Sequence, residues 1–316
     1  MQSYNASVSN QIRGVFLKII LYFDVFNYPL SEKEVIYFAG IPEDKGPEAK
    51  ELLAEMVKAG WISQHKGFFF VGSDQSVIDR RINGNRLAER RMRTARRYSR
   101  IISWFPFVRG VFLSGSISKG YLSEKDDIDY FIVTDPGRIW VARSMLTLFK
   151  KIFLFNSFKN FCINYFIDAK HLYISEQNRF TATEVLFLLP MYNLPLYHEF
   201  IRANTWARQY YPVFRQKDTH AFNDIPLAKR FLEWLMDNGL GDRLDNYLMT
   251  ASRKYIKRKY RSLDEESFNR CFRLDKRELR FLPNRHQYTI LEKFANRLTA
   301  VEVQTGIRID PDLGGK

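Results

Sequence analysis

The sequence predicts a three-part α/β protein: a small N-terminal unit of helices and a hairpin, a core in which strands alternate with helices, and a C-terminal helical region. Three observations predict it. Within the first 75 residues, apolar helix-like segments are followed by two short β-like runs around a turn. Residues 110–134, "GVFLSGSISKGYLSEKDDIDYFIVT", run from one apolar strand-like segment through a small-residue turn and a charged loop into a second. Beyond residue 178 the apolar residues recur mainly at helical spacing. The expected boundaries are residues 10–75 for the N-terminal domain, 76–104 for a basic linker helix, 105–178 for the core and 179–316 for the helical region.

With 316 residues, 46% of them hydrophobic, the chain is long enough for two or three cores. Lys+Arg 49 against Asp+Glu 35 leaves a net charge of +14, which favours polyanionic partners: nucleotides, nucleic acid, anionic polysaccharide or a lipid surface. Cys162 and Cys271 lie far apart and match no metal-ligand spacing, and the five histidines do not cluster. A reduced compartment with two structural thiols follows, and no zinc site. The N-terminus lacks the basic-then-apolar order of a secretory signal, and Arg143, Lys150 and Lys151 interrupt the most apolar region. A cytoplasmic protein with no membrane span is expected.

In the N-terminal domain, residues 12–26 form an apolar helix that Pro29 ends, and Ser31 with Glu34 has capping-box spacing for a second. A third helix runs over residues 47–59 to Gly60, and "WISQHKGFFFVG" reads as a hairpin turning at Lys66–Gly67. This pattern resembles a winged helix-turn-helix domain. Its third helix carries Glu48, Lys50, Glu51, Glu55 and Lys58, three acids against two bases, whereas neutralising phosphates needs the opposite balance. DNA readout is therefore possible but not favoured over packing on a neighbouring domain or a protein partner. Nine arginines follow between positions 80 and 100 on an expected linker helix; either they form a solvated face or some of them meet a triphosphate or an anionic acceptor.

The core segment carries the chemistry. Residues 111–113 read as a strand, "SGSISKG" as a turn into a helix start, and residues 128–133 as a second strand. Strand alternation puts Asp127, Asp129 and Phe131 on one side and Ile128, Tyr130 and Ile132 on the other. The two carboxylates, about 6–7 Å apart along such a strand, need a positive charge beside them, because buried uncompensated charge is costly. Magnesium suits: it prefers oxygen ligands and commonly binds through one or two carboxylates plus substrate phosphates. Gly115 permits close backbone approach, Ser116 offers a hydroxyl and a backbone N–H, and Lys119 can add a point charge to the same anion.

Gly115-Ser116, followed after a helix-and-loop segment by Asp127-Ile128-Asp129, resembles the signature of the DNA polymerase beta-like nucleotidyltransferase superfamily, in the form found in its small bacterial members. The resemblance covers residues 110–175. It implies a mixed-sheet core with two Mg2+ ions held by three carboxylates, and transfer of a nucleoside monophosphate, AMP from ATP foremost, to an unidentified hydroxyl or anionic acceptor with release of pyrophosphate.

Two carboxylates are then Asp127 and Asp129, and the third belongs on a neighbouring strand. In "FCINYFID", alternation sends Ile163, Tyr165 and Ile167 to the core and leaves Cys162, Asn164, Phe166 and Asp168 on the active face. Asn164 thus stands where the resemblance implies an acid, and Asp168 follows roughly 13 Å further on. Asparagine ligates metal weakly and takes no proton at neutral pH. Three readings stay open: strand register brings Asp168 or an acid from elsewhere into place, the acceptor is already ionised, or the site binds nucleotide and turns over slowly or not at all.

In the C-terminal region, residues 180–212 read as two helices broken at Pro190 and Pro195, with further helices over 227–238 and 240–261. The run "RKYIKRKYR" interleaves six bases with Tyr255, Ile256 and Tyr260, either for stacking on nucleic acid or as the exposed end of an amphipathic helix. The alternative function is a nucleic-acid-associated or protein-binding regulator with a degenerate nucleotide pocket.

Overall fold

The computed structural model describes residues 2–310 apart from 158, 216–220, 224–225, 238 and 282–285. The chain opens with α1 (Gln2–Asp24), β1 (Leu30–Ser31), α2 (Glu32–Phe38), α3 (Gly46–Lys58), β2 (Ser63–His65) and β3 (Phe68–Phe70). Local chemistry fixes these boundaries. Ser31 and Glu34 form the reciprocal capping box that starts α2. Gly60, with φ +72°, follows the end of α3, and Lys66 and Gly67, at φ 49° and 79°, make the tight turn between β2 and β3. The three short strands pair antiparallel in the order β1-β3-β2.

Helix α4 (Ser76–Ser103) leads into β4 (Val108–Ser114), the single turn α5 (Gly115–Ser118), β5 (Asp129–Thr134), α6 (Ile139–Phe153) and β6 (Cys162–Asp168). Then come α7 (Arg179–Leu186), β7 (Leu189–Tyr192), α8 (Leu194–Ala203), α9 (Leu227–Met236), α10 (Gly239–Lys259), α11 (Glu265–Cys271), β8 (Phe272–Leu274), β9 (Glu278–Phe281) and α12 (His286–Thr305). The fold is a mixed α/β one. Six strands form one sheet in the order β7-β4-β5-β6-β9-β8, in which only β5 and β6 run parallel.

Half of that sheet comes from the region expected to be helical. β7 contains Pro190, and Pro195 opens α8 rather than breaking a helix. Asn193, in the left-handed conformation, caps α8 by accepting from Leu196 N, so the chain reverses between strand and helix in one residue. β8 and β9 form a hairpin whose turn is held by Asp275 Oδ1, which accepts from the backbone N–H of Arg277 and Glu278. The basic run at 253–261 is the end of α10: Ile256 is buried and Tyr260 packs on Phe272, while Tyr255 points to solvent. This is the amphipathic-helix reading.

Each face of the large sheet has its own core. On one side Phe112, Phe131, Val133 and Ile167 pack against α7, α8, α12 and the N-terminal helices, in a single cluster with Phe16, Phe38, Phe200 and Phe294. On the other, Val111, Tyr130, Ile132 and Phe166 pack against α4, α6 and α10. The N-terminal unit is thus joined to the sheet by continuous apolar packing, reinforced by the Asp24–Arg297 ion pair between α1 and α12. Among the described residues no helix is long and apolar enough to cross a membrane.

Candidate active site

A cleft of about 600 Å³ opens where the start of β5, the turn after β4 and the near end of β6 meet the α1–β1 loop, α7 and α12. Its polar end holds Ser114, Gly115, Ser116, Lys119, Asp129, Asn164 and Glu184. Tyr28, Phe131, Tyr165, Phe180 and Phe200 add aromatic surface to its other walls, which Arg280 and Lys293 also line.

The turn is built around Gly115. It has φ +65°, and a Cβ there would stand 2.4 Å from Asp129 Oδ2, so only glycine lets the backbone lie against that carboxylate. α5 is just one turn long, which leaves its dipole small; the favourable charge here comes from Lys119 instead. Lys119 Nζ donates to Gly115 O at 3.0 Å and to Glu184 Oε1 at 2.8 Å. Glu184, 65 residues away in sequence on α7, had no signal in the chain; only the packing of α7 beside the sheet brings it in.

Asp129 is the first residue of β5, opposite Ser114 of β4 and Cys162 of β6. Its Oδ1 accepts from Asn164 Nδ2 at 3.3 Å. Burial pushes its carboxyl up to about 6; the charges of Glu184 and Asp127 add to the rise, while the Cys162 thiol and the Lys119 ammonium oppose it. Burial likewise pushes the Cys162 thiol up, and the Asp129 charge pushes it further. Both groups are held towards their neutral forms chiefly by burial, against the pull of Lys119 on Asp129 and of Lys150 on Cys162.

Asp127 does not share the strand with Asp129, because β5 begins only at Asp129. It lies in the preceding loop, outside the lining of the cleft, although Asp129, Cys162 and Lys150 all feel its charge. Asp126 lines the cleft instead, and its carboxylate is engaged by Ser123 N and Ser123 Oγ at 2.8 and 2.7 Å.

The parity expected for β6 holds as far as Asn164 and then inverts. Tyr130 stands opposite Ile163, but Phe131 stands opposite Tyr165, so Asn164 is an extra residue in the ladder. Asn164 and Tyr165 therefore both face the cleft, with Tyr165 stacked 4.7 Å from Phe131, and Phe166 turns into the opposite core. Asp168 is correspondingly far from the site, opposite Thr134 and 2% exposed; its carboxylate accepts from Lys170 N and meets His171 Nδ1. It caps a turn.

None of the nine arginines of α4 lines the cleft. Arg81 reaches Glu34 at 2.7 Å and stacks 3.6 Å over Tyr28, tying the N-terminal unit to α4. Arg91 donates to Asp126 O and Lys159 O at 3.0 and 2.6 Å and to Asn160 Oδ1, fixing the loop before β5. Gly84 completes the clamp: a Cβ there would strike the Tyr121 ring at 2.2 Å, so glycine lets the loop press onto the helix.

No family model, curated protein or solved structure matched this chain. Among the described residues no group of three or more acids, histidines or cysteines stands close enough to hold a metal ion. A two-ion centre held by three carboxylates therefore has no support in this geometry. One divalent ion suits the residues present, because the buried Asp129 carboxylate offers hard oxygen ligands and most of the coordination of magnesium commonly comes from substrate phosphates and water.

Proposed function

We propose that the cleft binds a magnesium–nucleoside triphosphate and that the protein is a nucleotidyltransferase, moving a nucleoside monophosphate, AMP from ATP foremost, to an acceptor with release of pyrophosphate. One observation carries the reading: the left-handed Gly115 turn lies directly against the Asp129 carboxylate, with Lys119 beside it. This juxtaposition of close-approach backbone, acid and cation suits a metal-bound phosphate chain. The order strand, Gly-Ser turn, strand, helix, strand, with the first pair antiparallel and the second parallel, is compatible with the superfamily that the sequence resembles.

Magnesium bound at Asp129, with Asp127 adding its charge from the preceding loop, would offset the negative charge that builds up as the triphosphate reacts. Ser116 and the Gly115 turn orient the phosphates, and Lys119 adds a point charge. The aromatic walls take the base and exclude water. In the transfer, the acceptor oxygen bonds to the α-phosphorus while the bond to the α–β bridging oxygen breaks, and that electron pair leaves on pyrophosphate. An acceptor that arrives ionised, such as a phosphate, needs no proton acceptor. This suits a site in which Glu184 is engaged by Lys119 and the position beside Asp129 is an amide.

The Asn164–Asp129 hydrogen bond also favours a second reading, a regulator that binds nucleotide without turnover. Incubating the protein with magnesium, ATP labelled at the α-phosphate and a fractionated cell extract separates the two. Transfer of label to an acceptor with matching pyrophosphate release, absent in Asp129→Asn, supports the enzyme. Magnesium-dependent ATP binding without any transfer supports the regulator, and failure to bind nucleotide at all removes both.

A further inference from the structure

Helix α9 is inverted relative to an ordinary amphipathic helix. Of its charged residues, Lys229 and Glu233 face the protein, whereas Arg230 is exposed. Lys229, 1% exposed, donates to Ser103 O at 2.8 Å and Val108 O at 2.6 Å, and Glu233 one turn on accepts from Phe107 N and Arg109 Nη1. Its apolar residues face outward: Leu227, Phe231 and Trp234 are 80%, 61% and 73% exposed, and Tyr247 of α10 is 69% exposed. Exposing an isolated apolar side chain is ordinary, but turning a whole helix so that buried hydrogen bonds hold it and its aromatic face meets solvent is not.

Near α9 lies a second cavity of about 610 Å³, lined by Arg96, Arg97, Arg100 and Trp104 of the α4 end and by Phe222. The cavity is tied to α9 through the inward-facing Lys229. Lys229 bonds to Ser103, the residue before Trp104, and sits 5.3 Å from the Tyr192 ring; Tyr192 is 5.9 Å from Phe222, over which Arg100 stands.

We propose that this side of the molecule docks on an anionic lipid bilayer, with Leu227, Phe231 and Trp234 entering the interfacial layer and the arginine cavity receiving lipid phosphate. Charge complementarity selects this occupant. A protein partner or a second copy would need an apolar patch and acidic side chains set in register with Arg96, Arg97 and Arg100, and a polynucleotide gives Leu227 and Phe231 little to bury against. An anionic bilayer supplies an apolar layer and phosphates side by side, tryptophan is at home at that boundary, and the net charge of +14 draws the whole protein towards such a surface. The proposal is independent of the nucleotide reading of the cleft.

Flotation of the full chain with vesicles of phosphatidylcholine mixed with phosphatidylglycerol, and with phosphatidylcholine alone, tests it. The protein should float with the anionic vesicles only. Phe231→Ser/Trp234→Ser and, separately, Arg96→Gln/Arg97→Gln should each lower the bound fraction at least about tenfold, as expected when either the apolar or the electrostatic half of an interfacial anchor is lost. Unchanged thermal melts would show that both variants fold. The proposal is overturned by no flotation with anionic vesicles, by binding that neither variant alters, or by a dimer in solution that Phe231→Ser/Trp234→Ser converts to monomer.

Discussion

Replacing Asp129 by asparagine should stabilise the free protein at neutral pH while removing its affinity for the metal–nucleotide complex. The structure gives the size of the first effect. Folding lifts the carboxyl from its ordinary value of 3.8 to about 6, so the ionised form is disfavoured in the folded state. That difference corresponds to about 3 kcal/mol at pH 7.5, falling to about half of this at pH 5, because one pKa unit is worth about 1.4 kcal/mol. The sign follows from proton counting. Between 3.8 and 6 the folded chain holds more protons than the unfolded one, so this group costs stability as pH rises through that window and the cost is complete above it. The amide oxygen introduced by Asp129→Asn can still accept from Asn164, so the variant keeps that contact. Urea denaturation of both proteins at the two pH values, without metal or nucleotide, measures it. A variant less stable than the wild type at pH 7.5, or a difference that does not shrink towards pH 5, refutes the electrostatic account of the site.

Gly115→Ala places a methyl 2.4 Å from Asp129 Oδ2 in a left-handed residue, and should cost about 1–2 kcal/mol in a urea titration and weaken magnesium–ATP binding at least about tenfold; unchanged nucleotide affinity counts against the close-approach role. Asn164→Asp sets a second carboxylate beside Asp129, in place of the amide whose nitrogen stands 3.3 Å from Asp129 Oδ1. The free protein should lose about 1–3 kcal/mol at neutral pH and regain it when magnesium is added, and a melting temperature indifferent to magnesium would argue against a cation at this position. Lys229→Met strands Ser103 O and Val108 O; it should lower stability by about 1–3 kcal/mol and speed amide exchange in α9, an outcome absent if those bonds are incidental.

Much of the fold is legible where local chemistry decides it. The capping box at Ser31 and Glu34 and the Lys66–Gly67 turn act within four residues, so the sequence announces them. β7 is hidden because Pro190 sits inside a run of leucines that also suits a helix, and what makes it a strand is pairing with β4, about 80 residues earlier. β8 and β9 are three and four residues long and heavily charged, and their alternation of Phe272, Leu274, Leu279 and Phe281 is too brief to stand out from the helices around it. In the site, Gly115 and Asp129 are legible as a pair because a short segment joins them. Alternation extended back to Asp127 overshoots the true start of β5 by two residues, which is why the pattern puts that acid on the strand. At Asp168 alternation fails through a bulge, a one-residue slip that no period-two pattern foresees. Glu184 depends on how a helix docks, and no spacing rule reports that.

The central claim is that Asp129 and the Gly115 turn together grip a metal-bound triphosphate. Titration calorimetry of ATP into the wild type and Asp129→Asn, each with magnesium and with a chelator, tests it most directly. Binding that needs magnesium and falls at least about tenfold in the variant is the predicted result, since one charged ligand contact is worth at least that much. Binding indifferent to magnesium, or equally strong in Asp129→Asn, contradicts it.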